Sequence, residues 1–247
     1  MAHESIRTKP EPHFSQTRWS LVLDLQHPRG EQAARSLYEL SQRYWYPVYA
    51  YARRSGHCPS PANDLCLAFF AQLPGVIGET DPHSHGRFRD FLLEQLNRFL
   101  LNDWHQGLAL AAEQKLTAPF TIEQLEDRLT RDHAGMQSPT QAYHRSFALE
   151  VLERSLRRLA HEAEQGGRRD MFDVLQRFLT EEPAPGQYQE LSQALATPPL
   201  VVAIAIKRLR QRFREIAEDE LLETVSTPVD LATERDALAR LLGGADA

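Results

Sequence analysis

From Arg35 the apolar residues fall three and four apart. Leu37, Leu40, Tyr44 and Val48 share one stripe, and this spacing predicts a helix. The Gly56-His57-Cys58-Pro59-Ser60-Pro61 stretch breaks it, because glycine and proline interrupt regular structure. A second helix is predicted from about Pro61, which suits a first turn, to Leu73, with Pro74-Gly75 ending it. A third runs over about 86–104, with Phe88, Phe91, Leu92, Gln95, Phe99 and Asn102 ordered along it. Between Gln106 and Thr140 the pattern loosens around Gly107, Pro119, Gly135 and Pro139. This reads as a connector with a short helical piece at about 122–129.

A second helical body opens at about 141–163, carrying Phe147, Val151, Leu152, Leu156 and Leu159, and Gly166-Gly167 stops it. A helix over 170–180 leads to the loop Pro183-Ala184-Pro185-Gly186. A short helix at 188–195 then meets the turn Ala196-Thr197-Pro198-Pro199, and a long helix is predicted over about 198–225. Thr197 is placed to cap that helix and Pro198 suits its first turn. Residues past Thr227 read as a weakly helical tail, and residues 1–13, with Pro10, Pro12 and His13, as a disordered lead-in. Alternation of period two is sustained nowhere, so the expected class is all-α.

Composition narrows the function. With 28 Lys and Arg against 34 Asp and Glu the net charge is −6, which excludes a wholly basic nucleic-acid binder but not a local basic stripe. No apolar run approaches the roughly 20 residues needed to cross a bilayer, and Met1 to Pro12 has no apolar stretch of a signal peptide. Two cysteines, Cys58 and Cys66, cannot build a disulfide framework, so a cytoplasmic location is expected.

The most informative unit lies at 188–214. A short helix, a tight turn and a longer helix ending in basic residues is the helix-turn-helix layout. Its second helix carries Lys207, Arg208, Arg210, Arg212 and Arg214, with no acid between Leu200 and Arg214. Such a cluster can neutralise phosphates, each adding about 0.9 to the salt slope on duplex DNA. His83-Ser84-His85 and the His57, Cys58, Cys66 set lack the four paired ligands of a structural zinc site, so no metal is assigned. No phosphate loop, nucleophile elbow or His-Glu-x-x-His run occurs, and neither enzyme chemistry nor a cofactor is expected. The aromatic run Tyr44-Trp45-Tyr46-Pro47-Val48-Tyr49-Ala50-Tyr51 is assigned to a bundle core rather than to base stacking.

Several motifs resemble one branch of the extracytoplasmic-function (ECF) sigma factors of RNA polymerase. They are Phe14-Ser15-Gln16-Thr17-Arg18-Trp19-Ser20-Leu21-Val22-Leu23, the stretch from Tyr44 to Arg54, Gly86-Arg87-Phe88-Arg89-Asp90-Phe91-Leu92-Leu93 continuing to Asn102-Asp103-Trp104, and residues 147–159 and 188–214. The resemblance covers about 14–225. It implies a region-two domain at 14–110, a linker at 111–140, a region-four helix-turn-helix domain at 141–226 and a tail at 227–247. It further implies a promoter-specificity subunit that binds core RNA polymerase and promoter DNA, without a membrane. Asn63, Asp64, Phe69 and Phe70 would belong to the core-docking helix, the phenylalanines by packing. Arg87, Arg89, Asn97, Arg98, Asn102 and Trp104 would lie on the −10 side. The basic residues of the second body would serve the −35 side, chiefly through phosphates.

Three departures from the family pattern raise a competing reading, a sigma-like protein-interaction module or regulatory adaptor without promoter recognition. Cys66 and Leu67 replace a Thr-Gln pair in the docking helix. His105-Gln106-Gly107-Leu108-Ala109-Leu110 follows Trp104 without a fixed positive charge. The groove-facing side of the recognition helix, with Pro199, Ala203 and Lys207, lies within the unbroken apolar run at 200–206. A helix apolar on every face calls for burial on every face, by another segment or by a protein partner. An anti-sigma factor or a Ser/Thr kinase is a further expected partner, since phosphorylation of Ser60 would add about 1.5–2 negative charges to the docking helix.

Overall fold

The computed structural model describes residues 20–26, 30–79, 87–102, 104–132, 138–225 and 227–243. Among them the chain is all-helical, as its periodicity predicts. The order is α1 (Ser20–Gln26), α2 (Glu31–Arg54), α3 (Pro59–Glu79), α4 (Phe88–Leu100), α5 (His105–Glu113), α6 (Ile122–Asp132), α7 (Pro139–Gln165), α8 (Arg169–Leu175), α9 (Gln187–Ala194), α10 (Pro199–Leu222) and α11 (Pro228–Gly243). A 3-10 turn, Gln176–Leu179, extends α8. No described helix is long and apolar enough to cross a membrane. The expected lead-in at 1–13 and His83 and His85 lie outside the described residues.

Helix α2 forms the centre. Its stripe Leu37, Leu40, Tyr44, Val48 is buried, and so are Trp45, Tyr46 and Tyr49 on its other faces. The aromatic run is therefore core, because α1, α3, α6 and α7 surround it. Trp45 stacks on Phe70 of α3 at 5.3 Å, and Tyr44 stacks on Phe147 of α7 at 5.4 Å. Such ring pairs add about 0.5–1.5 kcal/mol each beyond the area they bury.

Several boundaries differ from the sequence expectation. Helix α3 does not end at Pro74-Gly75 but runs through Pro74 to Glu79. An interior proline costs about 3 kcal/mol. Ile77, fully buried beyond it, returns about 1.5–3 kcal/mol, and Val76 packs on the same core. Helix α5 occupies the start of the expected connector. Gly107 lies inside α5 because the helix approaches α3 closely: a Cβ there would sit 2.8 Å from both the Cβ and the carbonyl oxygen of Ala68. Gln114 fastens the end of α5 by donating to the Ala71 carbonyl at 3.2 Å.

Helix α6, longer than expected, opens with a capping box between Thr121 and Gln124 at 2.9 and 3.2 Å. It is tied to α2 through Glu126, which accepts from Tyr49 at 2.6 Å and Arg53 at 2.7 and 2.8 Å. Those donors hold the Glu126 carboxyl below its usual range.

Helix α7 joins two cores. Tyr143, Phe147, Ala148 and Val151 in its first half pack with α2, while Leu159 farther along packs with Phe172 and Ile216. A third cluster, Leu175, Phe178, Leu191, Val202 and Ile206, holds α8, α9 and α10 together. Gly166 and Gly167 close α7, the latter with φ +64°.

The expected weak tail is a full helix, α11. Thr227 and Asp230 cap its start reciprocally at 3.1 and 3.2 Å, and Pro228 occupies its first turn. The chain entering α11 is pinned to the start of α4, where Phe88 N–H donates to the Thr224 carbonyl at 3.0 Å.

Candidate nucleic-acid and partner interfaces

Helices α9 and α10 form the helix-turn-helix foreseen at 188–214. Residues 195–198 connect them, and Ala196 takes a left-handed φ of +46° to make the reversal. Thr197 does not cap α10. Its hydroxyl donates to the Leu195 carbonyl at 2.9 Å, and Pro198 takes the cap position with Pro199 in the first turn. The serine-type cap fails because the side chain is turned back onto α9.

The five basic residues of α10 divide into two groups. Arg210 braces the loop after the 3-10 turn, donating to the carbonyls of Phe178 and Glu181 and to the Glu182 carboxylate, each at 2.6 Å. Arg212 grips Glu162 of α7 through two bonds of 2.8 Å and also pairs with Glu215. The Arg212 hydrogen bonds hold Glu162 below the usual carboxylate range, and Glu162 in turn holds Arg212 firmly charged. Lys207, Arg208 and Arg214 are exposed and make no ion pair among the described residues. Of the five cations, three are thus left without an ion-pair partner among the described residues.

The apolar run at 200–206 is only half covered. Val202 and Ile206 face the α8–α9 core, whereas Leu200, Val201 and Ile204 are 72%, 45% and 42% exposed. The core with Leu175, Phe178 and Leu191 buries one side of this run, while α7 packs chiefly farther along α10, around Ile216. Val201, Ile204 and Arg208 border a groove of about 440 Å³ whose other wall includes Met171, Leu175 and Arg168.

In α3 the residues expected to dock on polymerase separate by depth. Phe69 and Phe70 are buried, in edge contact with each other, so they shape the helix from within. Asn63 and Asp64 are half-buried, and the Asn63 Oδ1 has no hydrogen-bond partner among the described residues. Cys66 is buried and its thiol is pushed up by desolvation, while Cys58 is exposed. Among the described residues no group of three or more His, Cys, Asp or Glu is placed to hold a metal ion.

The six residues expected on the −10 side do not form one patch. Arg98, Asn102 and Trp104 meet Phe69 around a cavity of about 210 Å³ between α3 and the end of α4. Asn97 lies beside them and accepts from Tyr51 at 2.6 Å, Arg98 pairs with Glu94, and Trp104 stacks on His105 at 4.4 Å. Arg89 is nine residues away, about 14 Å along the helix.

Arg87 and Arg89 have a partner that the sequence reading missed, Glu234 of α11. Glu234 is fully buried and Arg89 is 3% exposed. Arg89 donates to Glu234 at 2.8 Å and Arg87 at 3.3 Å, and Tyr143 O–H donates to the Arg89 carbonyl at 3.0 Å. Burial opposes the Arg89 charge, but the bonds to Glu234 outweigh it and hold the guanidinium charged. His144, whose Nδ1 accepts from Arg89, is pushed down to about 4 by burial and by that charge. The Thr227-Pro228-Val229-Asp230 start signal was the available clue to α11. No local pattern could have paired Glu234 with residues about 145 positions earlier.

Compared with known proteins, the chain matches no family model, no curated protein and no solved structure.

Proposed function

We propose that this protein is a sigma-like transcription initiation factor, acting in the cytoplasm by binding bacterial core RNA polymerase and promoter DNA. The observation that carries the reading is the α9–α10 helix-turn-helix, with Lys207, Arg208 and Arg214 exposed and uncommitted along the second helix. Those three cations are the phosphate contacts, while Arg210 and Arg212 set the angle of α10 through Glu182 and Glu162. Asn63 and Asp64 of α3 face the polymerase, and Arg98, Asn102 and Trp104 border the second DNA surface. The role calls for no bond-making chemistry.

The test is co-elution of the full chain with bacterial core RNA polymerase at low and moderate salt, followed by titration of duplex DNA. Co-elution is expected, as is a duplex salt slope near 2.7 from three phosphate contacts. A folded protein that fails to co-elute under both conditions would overturn the reading.

One observation favours a second reading, a protein-binding adaptor: the exposure of Leu200, Val201 and Ile204 beside the groove-facing positions Pro199, Ala203 and Lys207. Base edges are read mainly by hydrogen bonds, and apolar side chains offer only contact with thymine methyls. Ile204→Lys separates the two. It strengthens DNA binding if α10 enters a groove, and it abolishes partner binding with DNA affinity unchanged if this face is a protein interface.

A further inference from the structure

Among the described side chains of α11, few apolar groups and one carboxylate are buried against the rest of the protein. Of these, Glu234 and Leu238 are buried and Leu231 is partly packed, whereas Val229, Ala232, Thr233, Arg235, Asp236 and Ala239 face solvent. The Glu234 carboxylate sits between Arg87, which caps α4, and Arg89 in its first turn, with Oε2 accepting from both and Oε1 facing Arg89 Nε. Beside it opens a cavity of about 350 Å³ lined by Arg87, Arg89, Asp90, His144, Ala237 and Arg240. Asp90 is already engaged by Arg87 at 2.7 Å, and His144 is neutral at pH 7. Withdrawing α11 takes both Glu234 and Arg240 away and leaves Arg87 and Arg89 facing Asp90, a net charge of +1.

We propose that α11 is an intramolecular cover over a nucleic-acid site: Glu234 occupies the Arg87–Arg89 pair, and the phosphates of single-stranded nucleic acid compete with it. Carboxylate and phosphate oxygens accept from the guanidinium fork in the same planar geometry, so one can replace the other. The tether keeps the local concentration of Glu234 high, and the site stays closed until phosphates are also held nearby at high local concentration. Release is within reach because an element with little buried apolar surface opens before the core does. The proposal rests on the reading of α4 as a nucleic-acid-facing helix. Its test needs neither polymerase nor promoter, so its failure and the failure of that reading are separate results.

The experiment titrates wild type and Glu234→Gln, both as full chains, with a labelled single-stranded DNA of mixed sequence over a range of salt. The variant is expected to bind at least tenfold tighter at low salt, with a slope steeper by about 1.4 from two freed arginines. Adding Arg87→Gln should return about half of that increase. Equal affinity and slope in a variant folded by circular dichroism would overturn the proposal, and so would binding by neither protein. Hydrogen exchange on the wild type decides the matter even if Glu234→Gln misfolds. Saturating DNA should strip protection from the amides of α11 while α7 keeps its own, and an α11 that stays protected in the DNA-bound protein would overturn the proposal.

Discussion

Two stretches of this chain place apolar residues on every face of a helix, and they end in different surroundings. Residues 44–50 of α2 are enclosed by four helices and are buried throughout. Residues 200–206 of α10 bury Val202 and Ile206 but leave Leu200, Val201 and Ile204 in solvent. All-round apolarity states a demand for burial, and the number of helices available decides whether it is met. Around α2 the chain supplies α1, α3, α6 and α7. Around residues 200–206 the chain buries only Val202 and Ile206, in the core with Leu175, Phe178 and Leu191, and Leu200, Val201 and Ile204 stay in solvent.

The sharpest way to break this contrast is to cut into the enclosed helix. Trp45→Ala should cost about 3–5 kcal/mol, since the indole is fully buried against Phe70. Urea unfolding measures it, and a cost below 1 kcal/mol would mean that α2 is not enclosed as described. Next in size is the close approach of α5 to α3. Gly107→Ala should destabilise by about 1–3 kcal/mol despite the better helix propensity of alanine, because its Cβ would press on Ala68 backbone and side chain.

A smaller effect tests the seam where α4, α7 and α11 meet. His144 is held near 4, first by burial and then by the Arg89 charge. The unfolded chain, with a histidine near 6.5, therefore takes up its proton first as the pH falls. Stability from this group is full above about pH 6.5 and is lost between 6.5 and 4. Thermal midpoints measured across that range should decline, and His144→Gln should flatten the decline. The smallest effect belongs to the open face. Leu200→Ser should change stability by no more than about 0.5 kcal/mol in the isolated protein, as expected for an exposed position.

What the sequence revealed, and what it hid, follows the range of the interactions. The α2 stripe, the glycine stop after α7 and the α9–α10 unit rest on spacing, glycine and proline, all local, and each was legible. Helix α5 was missed because Gly107 signals a break locally, while its reason for being there, Ala68, lies 39 positions earlier. Pro74 misled for the same reason, since Ile77 beyond it is held by the core. Among the candidate site residues, the positions of Lys207, Arg208 and Arg214 on α10 could be read directly. That Arg210 and Arg212 are committed to Glu182 and Glu162, and Arg87 and Arg89 to Glu234, could not, because these partners meet only through the tertiary fold.

The proposal that the protein initiates transcription is tested most directly by reconstitution. Core RNA polymerase, the full chain and fragmented bacterial genomic DNA are combined, and the 5′ ends of the transcripts are sequenced. The account predicts transcripts that require the protein and begin at a fixed distance downstream of shared sequence elements. Polymerase that binds the protein yet makes no protein-dependent transcript would contradict it, and would turn the exposed face of α10 into the interface of an adaptor.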